Sequence, residues 1–172
     1  MDTGRGASED LQSLAEAFAE LVETTVGEFD VYELLQVLVD RCVDVLEVAA
    51  SGLLVADGGS GLKVMVASDE RTEILELFQI QNEAGPCLDC YRSGEAVFAE
   101  APNGGFDRWP RFERACAEAG FSSVTAVPMR VNGKVFGGLN LFGTTHQPSP
   151  NVGTAKVAAH LCKRRFERGE RA

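Results

Sequence analysis

The sequence predicts an α/β protein of the α+β kind, in which an antiparallel sheet of five to six strands carries helices on both faces. Two observations lead to this fold class. Apolar residues alternate at every second position in stretches that occur in adjacent pairs with tight turns between them, which is typical of antiparallel hairpins. Between the pairs the apolar spacing changes to that of helices, and the strand–helix–strand repeat of a parallel sheet is missing.

The chain begins with an acidic segment, residues 1–29, which is expected to form a helix that covers the sheet or joins two subunits. Leu11, Leu14, Phe18 and Leu21 recur at alternating steps of three and four, which gives one apolar seam along a helix. A seam this short is not stable alone, so the helix needs a partner surface.

Residues 30–148 form the predicted core domain, which opens with a helix over 30–48. Asp30 and Glu33 have the spacing of a capping box, with Asp in place of the usual Ser or Thr. The apolar residues that follow, Cys42 among them, form a wide stripe along one side of the helix. We therefore expect this helix to pack on the sheet.

The strand pattern occurs in five stretches. The glycine-rich turn GGSG separates the first two, and Asn132-Gly133 separates the last two. Asn-Gly between two β-rich stretches is a strong hairpin signal, because both turn positions need positive φ. The predicted strands cover residues 51–57, 62–68, 96–100, 122–131 and 134–143.

Two further helices are predicted within the core. Residues 70–82 have helical spacing through Ile74, Leu77, Phe78 and Ile80. The next helix is recognised by three signals at its ends, which are Asp107 as N-cap, Pro110 in the first turn and Gly120 as the stop.

The formal net charge of −10 is unevenly distributed. Residues 1–50 contain 12 acidic and 2 basic side chains, whereas the remainder is balanced. Residues 149–172 form a predicted helix with Ser149 as N-cap, and its basic end, KRRFERGERA, complements the dipole of a helix C-terminus. Because phosphate binding needs a basic surface, the acidic first third argues against a nucleic-acid partner.

The apolar stretches and the cysteines restrict the location and the metal chemistry. The longest clean apolar run, GLLVA, is far shorter than the roughly 20 residues that span a membrane. With no secretory signal at the polar N-terminus, we expect a soluble cytoplasmic protein. Five cysteines make a disulfide framework improbable, and one CxxC pair offers too few ligands for structural zinc, so no metal site is predicted.

Two stretches, together with the order of elements, resemble the GAF domain family. They are GPCLDCYRSGE (85–95) and VPMRVNGKVFGGLNLF (127–142), and the likeness covers roughly residues 30–168. The sequence is most similar to actinobacterial GAF domains that precede ANTAR modules, which are RNA-binding antiterminators. Since the chain stops at Ala172 without room for such a module, direct RNA antitermination is not expected.

The resemblance implies a sensory module. Such a module has a pocket between one face of the sheet and its covering helices, and it forms a homodimer through terminal helices that pass the signal to a downstream regulatory protein. The small molecule or cofactor is not specified by the sequence. The pocket candidates are Met65, Phe78, Cys87, Tyr91, Phe98, Trp109, Phe112, Phe121 and Met129. The alternative is that these large side chains fill a closed core.

Cys87 and Cys90 raise the possibility of a thiol redox sensor. If they begin a helical turn, the helix dipole lowers the thiol pKa and produces a reactive thiolate, with Cys116 as a third thiol nearby. The resembling family also has Cys at the position of Cys87, whereas Cys90 occupies a variable position. Cys87 is therefore expected to be mainly a scaffold residue at the pocket rim, which Cys90 could convert into a switch.

An enzyme alternative comes from the free methionine-R-sulfoxide reductases, a catalytic branch of the same family. The likeness includes cysteines near Cys87 and Cys116. The carboxylates of those enzymes are missing here, because residues 123–125 are Ser-Val-Thr and Asn140 stands where Asp is wanted. Thiols without an acid–base partner make a poor reductase, so no catalytic residues are assigned and no enzyme activity is expected.

Overall fold

The computed structural model describes residues 31–59, 61–101, 105–131, 133–147 and 149. The described part holds one five-stranded sheet in the order β2-β1-β5-β4-β3, in which every neighbouring pair is antiparallel. The elements are α1 (Val31–Leu46), β1 (Ala50–Ala56), β2 (Leu62–Ala67), α2 (Glu70–Asn82), α3 (Pro86–Ser93), β3 (Val97–Glu100), α4 (Pro110–Glu118), β4 (Ser123–Val131) and β5 (Lys134–Gly143). The predicted fold class is confirmed.

Helix α1 covers one face of the sheet. Leu35, Leu38 and Cys42 are buried on its inner side and pack with Leu53 of β1 and Leu139 of β5. This burial is the expected result of a wide apolar stripe, and it confirms that Cys42 is a buried residue. The predicted cap at position 30 lies outside the described residues.

Helices α2, α3 and α4 lie on the opposite face. Successive side chains of a strand point to opposite faces, so Ala50 and Leu54 of β1 face these three helices while Leu53 faces α1. Phe112 and Cys116 of α4 complete an apolar cluster over this second face. The sheet therefore carries helices on both faces, as predicted.

Both predicted hairpins are present. Asp57 N donates to Gly61 O at 3.1 Å, which closes the β1–β2 turn. In the β4–β5 hairpin Val131 pairs with Lys134, and Gly133 has a φ of 79°, which a residue without Cβ adopts without strain. The turn chemistry identified both connections correctly.

The helix ends show one error of prediction. Asp107 is not the N-cap of α4, because Trp109 occupies that position and Pro110 is the first helical residue. Proline has no N–H and fits the first helical position, so the cap is the residue directly before it. Gly120, with a φ of 88°, follows the end of α4 as expected. The cap of α2 is Asp69, whose carboxylate accepts from Thr72 N at 2.8 Å.

The acidic segment 1–29 and residues 150–172, with Cys162, lie outside the described residues. Ser149, the predicted cap of the terminal helix, is described and bound to β4. Its N–H donates to Ser123 Oγ at 3.1 Å, and its hydroxyl accepts from Thr125 Oγ1 at 3.0 Å. Among the described residues, no helix combines the length and the apolar character that crossing a bilayer requires.

Candidate functional site

The side of α2 that faces the sheet is largely polar. Thr72, Glu76 and Gln79, at positions i, i+4 and i+7, are fully buried. Ile74 and Leu77, two of the apolar residues that gave the helical spacing, are 60% and 41% exposed. Of the four apolar positions that identify this helix, two are therefore exposed, and the other two, Phe78 and Ile80, are partly buried.

Four of the buried groups form a hydrogen-bonded set, here called the Glu76 cluster, which consists of Glu76, Gln79, Cys87 and Asn140. Asn140 Nδ2 donates to both carboxyl oxygens of Glu76, at 2.8 and 2.7 Å, and Gln79 Nε2 donates to Glu76 Oε2 at 3.2 Å. Gln79 Oε1 in turn accepts from Cys87 N at 2.9 Å. The cluster therefore connects α2 to the central strand β5 and to the first turn of α3.

Glycines on the sheet make room for this cluster. Gly52 of β1 pairs with Asn140 of β5, and a Cβ at Gly52 would lie 2.6 Å from Glu76 Oε1. A Cβ at Gly138, two residues before Asn140, would lie 2.7 Å from Cys87 Sγ. Both distances are below those that real Cβ contacts reach. Only glycine at these strand positions lets the polar side of α2 and the start of α3 approach the sheet this closely.

The electrostatics of the cluster favour a neutral acid. Burial raises the pKa of Glu76 to about 8, although the hydrogen bonds from Asn140 act in the opposite direction. In the described part of the chain, no Lys or Arg forms an ion pair with Glu76. Asn140 Oδ1 is also buried and has no hydrogen-bond partner there. The cluster thus contains a carboxyl group without a cationic partner and a carbonyl oxygen without a hydrogen-bond donor.

The nine predicted pocket residues do not come together, because successive positions along a strand face opposite sides of the sheet. Two of them, Met65 and Met129, pack on the α1 face. Four belong to the apolar cluster beside α4: Phe78, Trp109, Phe112 and Phe121. Tyr91 packs with Cys87 against Leu54, and Phe98 is 44% exposed at the edge strand. Of the nine, only Cys87 belongs to the Glu76 cluster.

Two open grooves on the surface include predicted pocket residues. One, of about 520 Å³, lies between α1 and β2 and is lined by Tyr32, Glu33, Gln36, Val37, Met65 and Val66. The other, of about 160 Å³, lies between α2 and α4 and is lined by Phe78, Arg111, Arg114, Ala115 and Glu118. Neither groove is lined by a member of the Glu76 cluster.

The cysteines differ from the redox expectation in their acidity. Cys87 and Cys90 do begin a helix, α3, but both are buried free thiols. Burial raises the pKa of Cys87 well above its usual value and that of Cys90 to about 12. Burial also raises the pKa of Cys116, which packs in the separate cluster beside α4. The expected low thiol pKa is not found, because burial raises the pKa of both thiols; the Cys87–Cys90 switch itself stays a prediction.

The structure also corrects the argument from missing carboxylates. Residues 123–125 and Asn140 supply no carboxylate, but Glu76 reaches Asn140 from α2. The contact joins residues 64 positions apart, so local spacing did not reveal it. Two signals could have indicated it: the polar i, i+4, i+7 positions on α2, and the glycines inside β1 and β5, which mark close approach.

The chain matches the GAF domain family model over residues 28–161. No curated protein matches it significantly. The free methionine-R-sulfoxide reductase of Neisseria meningitidis, solved in complex with its substrate, is similar in fold, with a TM-score of 0.69, 15% identity and coverage of 96% of this chain and 92% of that one. The A. aeolicus nlh2 GAF domain in an inactive state gives a TM-score of 0.64 at 15% identity, with coverage of 92% and 99%. A domain of a putative two-component sensor histidine kinase protein of Sinorhizobium meliloti gives a TM-score of 0.63 at 12% identity, with coverage of 82% of this chain and 93% of that one.

Proposed function

Because the chain belongs to the GAF domain family, we propose that it is a sensory domain that binds a small molecule at the Glu76 cluster and signals as a homodimer. GAF domains are typical of sensory and regulatory modules in signalling proteins. The dimer contacts are assigned to the terminal segments 1–29 and 149–172, as the sequence predicts. No catalytic step is part of the proposal.

One observation carries the ligand-binding part of the proposal. Polar atoms in protein interiors nearly always have hydrogen-bond partners, and an exception calls for an explanation, such as stored strain, a catalytic role or a bound water, ion or ligand. Asn140 Oδ1 is such an exception, and it belongs to the same buried cluster as a carboxyl group that has no cationic partner. A small molecule that donates hydrogen bonds to these groups would complete the cluster.

The position of the cluster also suits signal transfer. Asn140 pairs with Ala126 of β4, and the neighbouring Thr125 holds Ser149, from which the terminal segment continues. A ligand that shifts the Asn140 side chain would therefore act one residue away from this attachment point. This short connection supports an output through the terminal segment.

An amide-resolved NMR screen of small molecules tests the proposal. Gly52 and Gly138 are suitable reporters, because both lie against members of the cluster. A ligand of the site is expected to shift their amide signals and to leave exposed Gly59, in the β1–β2 turn, unchanged. If compounds that bind the protein shift only Gly59 or residues of the surface grooves, the site is misassigned.

Two further parts of the proposal concern the cellular location of the protein and its output. A cytoplasmic location is consistent with the free thiols of the four described cysteines, since disulfides are rare in reducing compartments. Transcription regulation through a downstream regulatory protein follows from the likeness to actinobacterial domains that precede ANTAR modules. That likeness rests on the two motif stretches in this sequence.

A further inference from the structure

The hydrogen bonds of the Glu76 cluster are those of an ionised carboxylate. A carboxylate only accepts, and each of the three bonds to Glu76 is donated by an amide N–H of Asn140 or Gln79. A protonated carboxyl would instead donate its own proton to an acceptor. With both amides oriented to donate, the cluster suits a negative charge, whereas complete burial opposes that charge.

The groups around Glu76 do not supply the missing positive charge. Asn140 and Gln79 are neutral, and Gly52 contributes only backbone. Cys87 from α3 and Cys116 from α4 are the titratable groups that interact electrostatically with Glu76, and both are neutral thiols or, if ionised, anions. A cation would therefore have to come from outside the described part of the chain.

We propose that the Glu76 cluster recognises a compact organic cation, a primary ammonium or a guanidinium group, through the carboxylate of Glu76 and the carbonyl oxygen of Asn140. The inference rests on the proposed ligand-binding function and deepens it. A charged nitrogen with several N–H donors supplies the positive charge that the carboxylate lacks and the hydrogen-bond donor that Asn140 Oδ1 lacks. Charge-assisted hydrogen bonds of this kind are about twice as strong as neutral ones.

Other classes of ligand fit the same groups less well. An anion would face an acid and an unpaired carbonyl, both of which are acceptors. A divalent metal needs more ligands than one carboxylate, and the described residues contain no group of three metal-ligating side chains. Close packing at Gly52 and Gly138 leaves little space, so the group that enters must be small.

Binding of such a cation is coupled to loss of a proton. The pKa of Glu76 is about 8, so the ligand-free protein holds a proton there at pH 7. A bound cation stabilises the carboxylate, and the proton passes to the buffer. Affinity is expected to rise by about tenfold for each pH unit up to pH 8, because only the ionised form pairs with the cation.

Calorimetric titration of the full chain tests this inference. The probes are ethylamine, ethanolamine and guanidinium chloride, matched against propionate and the uncharged propionamide. Each titration is run at pH 7 in two buffers of different ionisation enthalpy, which counts the protons released. Glu76→Gln removes the charge while keeping the side-chain size, and Glu73→Gln, on the exposed side of α2, is the matched control.

The expected result is binding of a cationic probe with release of up to one proton, lost in Glu76→Gln and kept in Glu73→Gln. The rise of affinity with pH in the unaltered chain provides the same test without a variant. If propionate or propionamide binds and shifts the amide signals of Gly52 and Gly138, the proposal that the ligand is a cation is overturned, but the proposed sensory function remains. If none of the probes binds, the cation proposal is overturned, and the broader NMR screen decides separately whether any other ligand uses the site.

Discussion

Glu76 is the residue on which most of this account depends, because it places an acid in the interior between α2 and β5. Its burial is tolerated for three reasons: amide donors from Asn140 and Gln79, space left by Gly52, and a proton retained at neutral pH. Single substitutions at Glu76 and at Gly138, which lies against Cys87, test this arrangement at the residue scale.

The first prediction concerns the pH dependence of stability. The pKa of Glu76 is about 8 in the folded chain and near 4.5, the usual value of a glutamate, when unfolded, so the folded chain binds more protons between these values. Stability is therefore fully present below pH 4.5 and is lost as pH rises towards 8, by up to about 1.4 kcal/mol per pH unit. Glu76→Gln should remove this component and unfold at a higher urea concentration than the unaltered chain at pH 8.

Glu73→Gln is the control for this measurement, because it removes a carboxylate from the exposed side of the same helix. When the free energy of unfolding is measured with urea from pH 5 to pH 8, Glu73→Gln should show the same slope against pH as the unaltered chain. Parallel pH profiles for all three proteins would show that Glu76 does not titrate between these limits.

The second prediction concerns Gly138. Gly138→Ala brings a Cβ to 2.7 Å from Cys87 Sγ, and overpacking of this kind costs about 1–3 kcal/mol. Adding Cys87→Ala removes the sulfur and should restore part of the lost free energy of unfolding. Gly59→Ala, whose Cβ would meet Asp57 at an ordinary 3.4 Å, should change stability little. Equal costs for the two glycine substitutions would contradict the close contact.

At the scale of elements, α2 shows both what the sequence predicts and what it does not. The helical spacing gives residues 70–82, and the structure has the same bounds. The apolar residues within it do not reveal which side faces the sheet, since Ile74 and Leu77 are exposed while Glu76 and Gln79 are buried. Periodicity reports that a helix forms, but hydrogen bonds to β5 and α3 decide its orientation.

A third prediction concerns the thiols of α3. Because burial raises the pKa of Cys87 and Cys90, both should react slowly with a disulfide reagent at pH 7 until the chain is unfolded. The comparison is made in a Cys162→Ser background, since Cys162 lies outside the described residues. Ser93→Cys, on the exposed end of the same helix, should react at once.

Mild peroxide followed by peptide mapping addresses the redox switch directly. The burial of these thiols leads us to expect that all of them remain free. A Cys87–Cys90 crosslink formed in the folded protein would reinstate the thiol sensor.

At the scale of the whole molecule, the sequence predicts the arrangement of layers well. Turn residues such as Asn132-Gly133 and alternating apolar residues fix neighbouring strands, and these are local features. The Glu76 cluster is different, because it joins residues from α2, α3 and β5 that only the folded sheet brings together. The aromatic pocket candidates show the same limit. Their composition predicts that they are buried, but it does not predict which face of the sheet each one packs against.

A fourth prediction concerns assembly. If the seam in residues 1–29 joins two subunits, Leu14→Asp should convert a dimer into a monomer, because it places a charge among apolar residues. Glu16→Gln, outside the seam, should leave the dimer intact. Sedimentation velocity of the full chain at several concentrations measures both. If the unaltered chain sediments as a monomer at every concentration, dimerisation is not part of its function.

The most direct test of the central claim is a pH titration of the Glu76 side-chain carboxyl by ¹³C NMR, with its signal assigned by its loss in Glu76→Gln. We expect a midpoint near pH 8, because burial raises the pKa to that value, and a lower midpoint when a cationic probe such as ethylamine is bound. A midpoint near 4.5, the value of an unperturbed glutamate, would contradict it, because the carboxyl would then be ionised without any ligand.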